Sequence, residues 1–436
     1  MKILILGSGG REHTFCWKLH QSKLNPALFI APGNAGTAQF GENINIGIND
    51  FKAIKEFCID RKIEMVVVGP EEPLVNGIYD FFKNDDALRH IIITGPSAQG
   101  AQMEGSKAFA KSFMQKHNIP TAKYREFSLE NFDEGVKYIQ NHSLPIVLKA
   151  DGLAAGKGVL ICNKHSEALE EFELIIQQSK FGTAGNKVVV EEFLDGIELS
   201  VFALTDGKNY VLLPEAKDYK KIGEGDTGLN TGGMGAISPV PFATEHFIQK
   251  IEERIIEPTI KGLREDGIDY RGFLFFGLIK VEEEPMVIEY NCRMGDPETE
   301  VVMLRLKNDL LELLIAMGQQ KLDIHKIEIS KSNAATIVAV SGGYPEEYKK
   351  GYPIEFGYLE NPQAIKHIED EGGVMVFHAG TQQLAEETVT NGGRVLAVSA
   401  MAGTLGETIE LSKEILEQIH FKGIYWRGDI GYEFVE

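Results

Sequence analysis

Cysteine is scarce in this sequence, and the few cysteines lie far apart. The chain has 436 residues and only four cysteines, Cys16, Cys58, Cys162 and Cys292, so it contains no CxxC pair. This pattern argues against a disulfide framework and a thiolate metal site, and it favours free buried thiols in a reducing compartment. The eleven histidines are equally dispersed, without an HxxxH pair, which argues against a zinc site.

Long apolar runs and an excess of basic charge are also missing. The apolar run in MKILILGSGG is too short for a signal peptide, and no run reaches the length of a membrane-spanning helix. The 44 basic and 64 acidic residues give a net charge of −20, which argues against nucleic acid or an anionic membrane as a partner. We therefore expect a cytoplasmic protein that binds phosphates only through local cations, a metal or backbone N–H groups.

The N-terminal residues 1–103 repeat a pattern of buried strand followed by helix. A chain of this length is expected to form about two to four domains. Apolar runs at 3–6, 28–31, 65–68 and 91–94 predict parallel strands, with helices at 12–21 and 51–61. In such a doubly wound sheet ligands bind at the carboxyl ends of the strands. There the sequence has three glycine-containing turns, GSGGREH, PGNAGT and GPEEPL.

GSGGREH is the most compact of these turns. Its glycines, Gly7, Gly9 and Gly10, would let backbone N–H groups approach an anion at the start of a helix, and Arg11 adds a cation. The alternative is a dinucleotide site. GxGxxG would require glycine where Glu12 stands, and the second strand ends without the acidic residue that a nicotinamide site uses. A smaller phosphate ester fits this turn better.

A second glycine-rich loop follows a predicted helix at 106–117. Ser106 would cap that helix and place Lys107 in its first turn, which is unfavourable unless an anion lies nearby; a solvated surface lysine is the plain alternative. A strand ending at Lys149 leads into the loop DGLAAGKGV, residues 151–159. The loop fails the P-loop pattern, because its glycine spacing is one residue short and Gly158 replaces the serine or threonine. We predict a loop that covers phosphates rather than a plain hairpin turn.

The rest of the chain predicts an antiparallel sheet and a small C-terminal unit. Strands are expected at 187–194, 200–204, 210–213, 273–281 and 286–291, followed by a helix at 308–317. The segment 216–236 is rich in glycine and charge, and we expect a mobile loop that excludes water from a site. Strands at 336–340, 374–378 and 394–399 form the last unit, which shows no catalytic cluster and is expected to close the site.

The stretch MVIEYNCRMGDPETE, residues 286–300, carries the clearest chemical signal. In a strand, residues i and i+2 share a face, so Glu289 and Asn291 would stand side by side with Cα atoms roughly 6.5–7 Å apart. A carboxylate and an amide oxygen suit Mg²⁺, which shares its ligands with substrate phosphates. Arg293 follows on the same face and can bind a phosphate or carboxylate. The alternative is an edge strand whose polar residues face water.

Together these motifs resemble the phosphoribosylamine–glycine ligases (glycinamide ribonucleotide synthetases), a family of the ATP-grasp superfamily. The resemblance covers essentially the full length and rests on GSGGREH, PGNAGT, GPEEPL, GSKAF, KADGLAAGKGV, VEEFLDG, GDTGLNTGGMGA and EYNCRMGDPE in that order. It implies a multidomain α/β and α+β chain: a preATP-grasp domain at 1–103, a two-lobed ATP-grasp domain at 104–328 with a lid at about 121–192, and a small β-rich, barrel-like domain at 329–436. The family joins glycine to 5-phosphoribosylamine with ATP and Mg²⁺, or Mn²⁺, in purine synthesis.

The resemblance also implies roles for individual residues. Glu289 and Asn291 would bind the metal. The nucleotide would be held by Lys107, Lys149, Gly152, Gly156, Lys157, Gly158, Glu191, Glu192, Leu194 and Glu198, with Glu191, Glu192 and Leu194 at adenine and Glu198 at ribose. Gly9, Gly10, Arg11, Asn34 and Glu71 would face the phosphoribosylamine. Arg293 and Asp296 would lie by the reacting carboxylate and γ-phosphate, and Asp218 by the glycine amine.

One segment departs from the family pattern, and two rival functions stay open. Residues 217–221 read KDYKK where the family often has QDHKR, which keeps Asp218 but puts a role for the flanking histidine or arginine in doubt. The rivals are a carboxylase that phosphorylates bicarbonate and a non-catalytic nucleotide sensor. We expect small-molecule substrates and a monomer, with a dimer as the alternative.

Overall fold

The structure is a computed structural model that describes residues 1–152, 158–178, 180, 182, 186–357 and 373–435. The predicted positions Gly156 and Lys157 lie outside the described residues. Within the described residues, no helix is both long enough and apolar enough to cross a membrane. All four cysteines are buried and unpaired, as the spacing predicted.

A five-stranded parallel sheet forms the N-terminal part, in the order β5-β4-β1-β2-β3. Its strands are β1 (Lys2–Gly7), β2 (Ala27–Pro32), β3 (Glu42–Asn43), β4 (Met65–Val68) and β5 (Ile92–Pro96), and its helices are α1 (Gly10–His20), α2 (Phe51–Arg61), α3 (Glu71–Val75), α4 (Ile78–Lys83) and α5 (Ala98–Gly105). Every residue of β4 is buried, which explains its continuous apolar sequence. The predicted parallel strands are confirmed, and the three glycine-containing turns lie at one edge of the sheet.

In the described residues of the next part, which we call the lid, the strands form a separate four-stranded antiparallel sheet with the order β6-β9-β7-β8. It follows α6 (Lys107–Lys116) and contains β6 (Tyr124–Ser128), α7 (Phe132–Gln140), β7 (Ile146–Ala150), β8 (Val159–Cys162), α8 (His165–Ile176) and β9 (Lys187–Glu192). Ser106 caps α6 as predicted, because its hydroxyl accepts a hydrogen bond from the Phe109 N–H at 3.0 Å. Phe127, Phe172 and their neighbours form an apolar cluster of the lid's own.

A second, antiparallel set of strands extends the N-terminal sheet. The elements that follow the lid are β10 (Ile197–Thr205), β11 (Tyr210–Leu212), β12 (Lys217–Asp218), β13 (Lys221–Gly223), β14 (Thr227–Asn230), β15 (Gly235–Ser238), α9 (Glu245–Ile251), a π-helical turn (Glu252–Ile256), α10 (Glu257–Glu265), β16 (Tyr270–Val281), β17 (Glu284–Asn291), α11 (Glu298–Arg305) and α12 (Leu310–Gln319). The long strand β16 pairs with β10, β17 and β5, so one nine-stranded sheet runs through both parts. Parallel and antiparallel strands therefore meet directly beside β17.

The segment 216–236 is folded, and the expectation of an unstructured loop is wrong. It contains the short strands β12 to β14 and reaches into β15. Tyr219 and Met234 from this segment are almost completely buried, and the Tyr219 backbone N–H donates to the Gly235 carbonyl at 2.9 Å. These strands are two to four residues long, so no strand has room for a recognisable alternation of polar and apolar residues.

In its described residues, the C-terminal unit is a small β-rich layer built around a five-stranded sheet, β12-β15-β18-β22-β19. Its own elements are β18 (Asn333–Val340), β19 (Gly373–His378), β20 (Thr381–Leu384), β21 (Glu387–Thr390), β22 (Arg394–Ala402) and α13 (Leu405–Leu416). Because β12 and β15 belong to this sheet, the 216–236 segment joins the C-terminal unit to the central one. The predicted fold class, with its parallel sheet, ATP-grasp unit and β-rich C-terminal unit, is confirmed.

Candidate active site

A cavity of about 380 Å³ opens where β16 and β17 meet the lid, the N-terminal turns and the C-terminal unit. Its wall includes Arg11 and Glu71 from the N-terminal turns, Glu289 and Asn291 from β17, and Arg394 from the start of β22. Residues from every unit of the chain thus surround one space. We call it the main cavity.

Glu289 and Asn291 form the ridge that the strand pattern predicted. They are two residues apart on β17, and both contribute to the wall of the main cavity together with Gly152 and Gly158 of the 151–159 loop. Glu289 lies opposite Gly277 of β16, where the pairing register shifts. A Cβ on Gly277 would lie 2.9 Å from Glu289 Cγ, so the glycine leaves the space that this side chain occupies.

The ridge has the donor set of a hard divalent cation. Within the described residues, no group of three or more histidine, cysteine or acidic side chains could hold a metal alone. A cation on Glu289 and Asn291 would therefore complete its shell with other oxygens, such as water or phosphate. Mg²⁺ is commonly bound in this way, by one or two protein ligands and the phosphates of a nucleotide. The residues present fit such an ion.

Arg293 is held at the end of the ridge by two carboxylates. Its Nη2 lies 2.9 Å from Glu104 Oε1, and its Nε lies 3.4 Å from Glu71 Oε2. Burial lowers the pKa of Arg293, but the negative charges of Glu104 and Glu71 outweigh it and hold the pKa above its usual range. The guanidinium is consequently charged and fixed in orientation at the cavity wall.

Asp296 joins three units of the protein. Its Oδ1 lies 3.1 Å from Arg394 Nη2, and its Oδ2 accepts a hydrogen bond from the Arg11 backbone N–H at 3.2 Å. Burial raises the pKa of Asp296, but the charges of Arg394 and Arg11 outweigh burial, so the net shift is downward. Asp296 is therefore an ionised carboxylate at neutral pH, positioned next to Arg293 in the main cavity.

Asp218 lies in the main cavity with Glu298, which the sequence analysis did not select. Lys220 Nζ lies 3.3 Å from Asp218 Oδ1 and also pairs with Glu198. Burial raises the pKa of Asp218. Burial, and next the charge of Asp218, raise the pKa of Glu298 to about 7. The structure thus gives Glu198 a lysine partner where the resemblance implies a ribose.

The predicted phosphate lysines border a second, narrow cavity of about 20 Å³ beside the first. Lys149 Nζ lies 3.0 Å from Glu191 Oε2 and donates to the Ile288 carbonyl at 3.0 Å. Lys111, not selected from the sequence, lies 3.2 Å from the same carboxylate. Glu191 Oε1 is buried and has no hydrogen-bond partner within the described residues. Lys107 lines both cavities and connects them.

Three predicted nucleotide residues, Glu192, Leu194 and Glu198, lie outside the walls of both cavities. Glu192 accepts a hydrogen bond from the Lys123 N–H at 2.9 Å, which ties the end of β9 to the start of the lid. Leu194 is half-buried in the connection from β9 to β10. Glu192 therefore lies at the end of β9, and Leu194 lies in the connection that follows it.

Asp151 supplies the anion that the position of Lys107 required. Asp151 Oδ1 accepts hydrogen bonds from the Ser106 hydroxyl at 2.9 Å and from the Ala108 N–H at 3.1 Å. This carboxylate lies at the N-terminus of α6, where the positive end of the helix dipole stabilises its negative charge. It also fixes the start of the 151–159 loop against α6, which positions Gly152 beside Lys107.

The glycines of GSGGREH leave space for buried acidic side chains. The Gly9 N–H donates to Glu12 Oε2 at 2.5 Å, so a protein carboxylate takes the place expected for a bound anion. A Cβ on Gly7, whose φ is +126°, would lie 2.5 Å from Glu12 Cδ. A Cβ on Gly10 would lie 2.3 Å from Glu300 Oε1. The turn is glycine-rich because buried acidic side chains pack against its backbone.

Asn34 is used to join the N-terminal turns to the C-terminal unit. Its Nδ2 donates to the Ser8 carbonyl at 2.9 Å and to the His378 carbonyl at 2.7 Å, while its Oδ1 accepts from the Gly36 N–H at 2.9 Å. Gly9, Gly10 and Asn34 lie outside the wall of the main cavity, whereas Arg11 and Glu71 are part of it.

Several cavity residues were missed by the sequence analysis for identifiable reasons. Glu298 directly follows the selected DP pair at the start of α11, and its nearness to Arg293 in sequence was an available signal. Glu104 forms an ion pair with Arg293, which is distant in the sequence, and Lys220 pairs with Asp218 two residues away and with Glu198 from another strand. Arg394 had no local signal, because its neighbour Asp296 lies almost a hundred residues away in the chain.

Comparison with known proteins shows which family this chain resembles over its whole length. Three family models match in succession: the N domain at residues 1–104, the ATP-grasp (A) domain at 105–299 and the C domain at 334–433 of phosphoribosylglycinamide synthetase. The phosphoribosylamine–glycine ligase of Vibrio cholerae is 43% identical, covering 100% of this chain and 99% of its own. The ligase of the same name from Chlorobaculum tepidum is 44% identical and covers 99% of both chains.

Solved structures agree with the sequence comparison. The crystal structure of phosphoribosylamine–glycine ligase from Thermotoga maritima has a TM-score of 0.82 and 34% identity, and covers 98% of this chain and 100% of its own. A biotin carboxylase from Campylobacter jejuni has a TM-score of 0.72 at 15% identity, covering 99% of this chain and 94% of its own, which indicates a shared fold alone. This chain belongs to the phosphoribosylglycinamide synthetase family.

Proposed function

We propose that this protein is an ATP-dependent ligase that joins glycine to 5-phosphoribosylamine. The products would be glycinamide ribonucleotide, ADP and phosphate, in de novo purine biosynthesis. The observation that carries the proposal is the main cavity, which is lined by the cation ridge, by the fixed Arg293 and by the carboxylate of Asp218. The chain that builds this cavity matches ligases of that name over its full length.

The chemistry requires activation of the glycine carboxylate. A carboxylate does not acylate an amine unaided, because its oxygen is a poor leaving group. Transfer of the γ-phosphoryl group from ATP gives glycyl phosphate, and the ribosylamine nitrogen then displaces phosphate from its carbonyl carbon. Such a reaction depends on positioning and on charge stabilisation, and it needs no covalent enzyme intermediate.

Each part of the cavity has a place in this scheme. A divalent cation on Glu289 and Asn291, Mg²⁺ or Mn²⁺, supplies positive charge to the nucleotide phosphates. Lys107, Lys149 and the described glycines of the 151–159 loop, Gly152 and Gly158, bind those phosphates from the lid side. Arg293, fixed by Glu104 and Glu71, contacts the transferring phosphoryl group.

The nucleotide base would lie between the lid and the central sheet. The buried Glu191, whose Oε1 lacks a partner within the described residues, supports a hydrogen bond to adenine there. Glu192 and Leu194 would contribute their backbone from the end of β9 and the connection to β10. For Glu198 to bind the ribose, its ion pair with Lys220 would have to open.

The two other substrates would bind to different residues of the main cavity. Arg11 and Glu71 line the main cavity at the N-terminal turns and would bind the phosphoribosylamine, with Gly9, Gly10 and Asn34 supporting them from behind. Asp218 would receive the ammonium group of glycine. Asp296 would lie by the reacting groups, where it pairs with Arg394 and accepts a hydrogen bond from the Arg11 backbone N–H.

The organisation of the protein follows the same proposal. We assign a preATP-grasp domain to residues 1–103, an ATP-grasp domain to 104–328 with its lid at about 121–192, and a C-terminal domain to 329–436. We further propose a cytoplasmic monomer that binds neither nucleic acid nor membrane. The net charge of −20 and the four unpaired thiols support that assignment.

The test is ADP release with different acids and amines. Phosphoribosylamine can be generated in the assay from ribose 5-phosphate and ammonia. We expect rapid ADP release only when ATP, Mg²⁺, glycine and the ribosylamine are all present. Full activity with bicarbonate and no glycine would instead indicate a carboxylase. ATP binding without ADP release under any of these conditions would indicate a nucleotide sensor.

A further inference from the structure

Glu298 is a buried carboxylate in the wall of the main cavity that the scheme above does not use. It begins α11 and is 5% exposed. Its Oε1 accepts a hydrogen bond from the Ser200 hydroxyl at 3.3 Å. A Cβ on Gly295 would lie 2.4 Å from Glu298 Oε2, so the backbone after Arg293 passes directly over this carboxylate. The side chain is held from both sides while it still reaches the cavity.

We propose that Glu298 accepts the proton that the ribosylamine nitrogen loses when the amide bond forms. This inference rests on the proposed ligase function. The nitrogen lone pair forms a bond to the carbonyl carbon of glycyl phosphate. The bond between that carbon and the bridging oxygen then breaks, and its electron pair leaves with the phosphate. The nitrogen would then carry an extra proton, which passes to the carboxylate of Glu298 and from there to solvent or to the released phosphate.

The charges around Glu298 suit a proton acceptor. The charges of Asp218, Lys220 and Arg293 influence the pKa of Glu298, and the charge of Glu298 influences the pKa values of Arg394 and Glu300. Burial, and then the charge of Asp218, raise the pKa of Glu298 to about 7. A general base works best when its pKa is close to the working pH, because the ionised form is then both present and basic.

Asp218, the other acid of this pair, is less suited to the role. It lies 3.3 Å from the Lys220 ammonium, and an ion-paired carboxylate is a weaker base. Glu298 instead receives its hydrogen bond from a neutral hydroxyl, that of Ser200. The two acids therefore divide the work: Asp218 binds the ammonium of glycine, and Glu298 takes the proton from the attacking amine.

The test separates phosphoryl transfer from amide formation in the full-length enzyme. Hydroxylamine is a strong nucleophile at neutral pH and traps glycyl phosphate as glycine hydroxamate without a strong need for a base. Glu298→Gln keeps the size and the hydrogen-bond acceptor of the side chain. We expect the variant to lose amide formation on the order of 10²-fold, with hydroxamate formation changed less than about twofold.

Two further variants keep the test decisive. Glu300→Gln makes the same substitution two residues away, outside the cavity wall, where burial raises the pKa of Glu300 well above its usual value. We expect both reactions to be unchanged in that control. Asp218→Asn removes a charge that raises the pKa of Glu298, so the acidic limb of amide formation should shift to lower pH.

The outcomes are distinguishable. Equal loss of hydroxamate and amide in Glu298→Gln would overturn the inference and indicate a structural role. A raised KM for glycine in both assays, with kcat unchanged, would overturn it in favour of an ammonium site. If the wild-type enzyme released no ADP with glycine and either the ribosylamine or hydroxylamine, the proposed function itself would fail.

Discussion

Replacing Glu289 with glutamine removes the only carboxylate of the proposed cation ridge without changing the shape of the side chain. Glu289 is half-buried on β17, and the missing side chain of Gly277 leaves room for it. The amide of glutamine therefore fits where the carboxylate was. A half-buried polar substitution of equal size should change the free energy of unfolding by no more than about 0.5 kcal/mol. The variant also removes one of the negative charges that stabilise the Lys220 ammonium, but the charges of Asp218 and Glu198 remain.

The catalytic effect of Glu289→Gln should be far larger than its effect on stability. A metal ion contributes several kcal/mol of charge stabilisation in the transition state. If about 3 kcal/mol of it depends on this ligand, kcat falls by about 150-fold. The assay is ADP release at several Mg²⁺ concentrations, and higher Mg²⁺ should restore part of the rate because the remaining site binds the ion more weakly.

Glu284→Gln is the matched control at the other end of the same strand. Glu284 is exposed and pairs with Lys250 at 3.0 Å and with Arg254, far from the ridge residues of the main cavity. It should leave kcat and the Mg²⁺ dependence unchanged. Normal turnover by Glu289→Gln at ordinary Mg²⁺, or equal losses in both variants, would refute the assignment of the ridge.

Three other variants test separate parts of the structure. Arg11→Ala removes a side chain that contacts Glu12 at 2.7 Å and the Met294 carbonyl at 3.0 Å. The kcat/KM for the ribosylamine should fall about 30-fold while the affinity for ATP changes little. Equal losses for both substrates would argue against separate pockets. Phe172→Ala leaves a cavity in the core of the lid, where Phe172 is fully buried. Hydrogen exchange should show the lid destabilised by about 3–5 kcal/mol and the central sheet unaffected. Uniform destabilisation of both would contradict an independent lid. Burial raises the folded-state pKa of Glu298 to about 7, so this group should cost the ligand-free protein about 3 kcal/mol of unfolding free energy as pH rises from about 4.5 to 7. Glu298→Gln should abolish that loss. Identical melting curves for the two proteins across that range would contradict the raised pKa.

Much of the fold could be predicted because its strands are long enough to show a pattern. The continuous apolar run of β4 and the polar–apolar alternation of β17 led to the right elements and, at Glu289 and Asn291, to the right face. The cap of α6 was also visible, since a serine before a helical segment has a local meaning. Such features depend on neighbours in the sequence.

The errors have the opposite origin. The strands within 216–236 are stabilised by pairing with each other and with β18, a partner about a hundred residues away, so their own composition suggested a loop. The GSGGREH glycines accommodate Glu12 and Glu300, and that reason is invisible without the packed structure. Arg394 reaches Asp296 only because the C-terminal unit folds against the N-terminal turns. Local patterns cannot report contacts of this kind.

The central claim is that a phosphoryl group passes from ATP to the carboxylate of glycine on this ridge. Glycine labelled with ¹⁸O in both carboxylate oxygens tests it directly, by mass spectrometry of the phosphate formed with ATP and the ribosylamine. An acyl phosphate must transfer one labelled oxygen to each phosphate released, and the amide product keeps the other. Phosphate without label, formed at the same rate as the amide, would contradict the account.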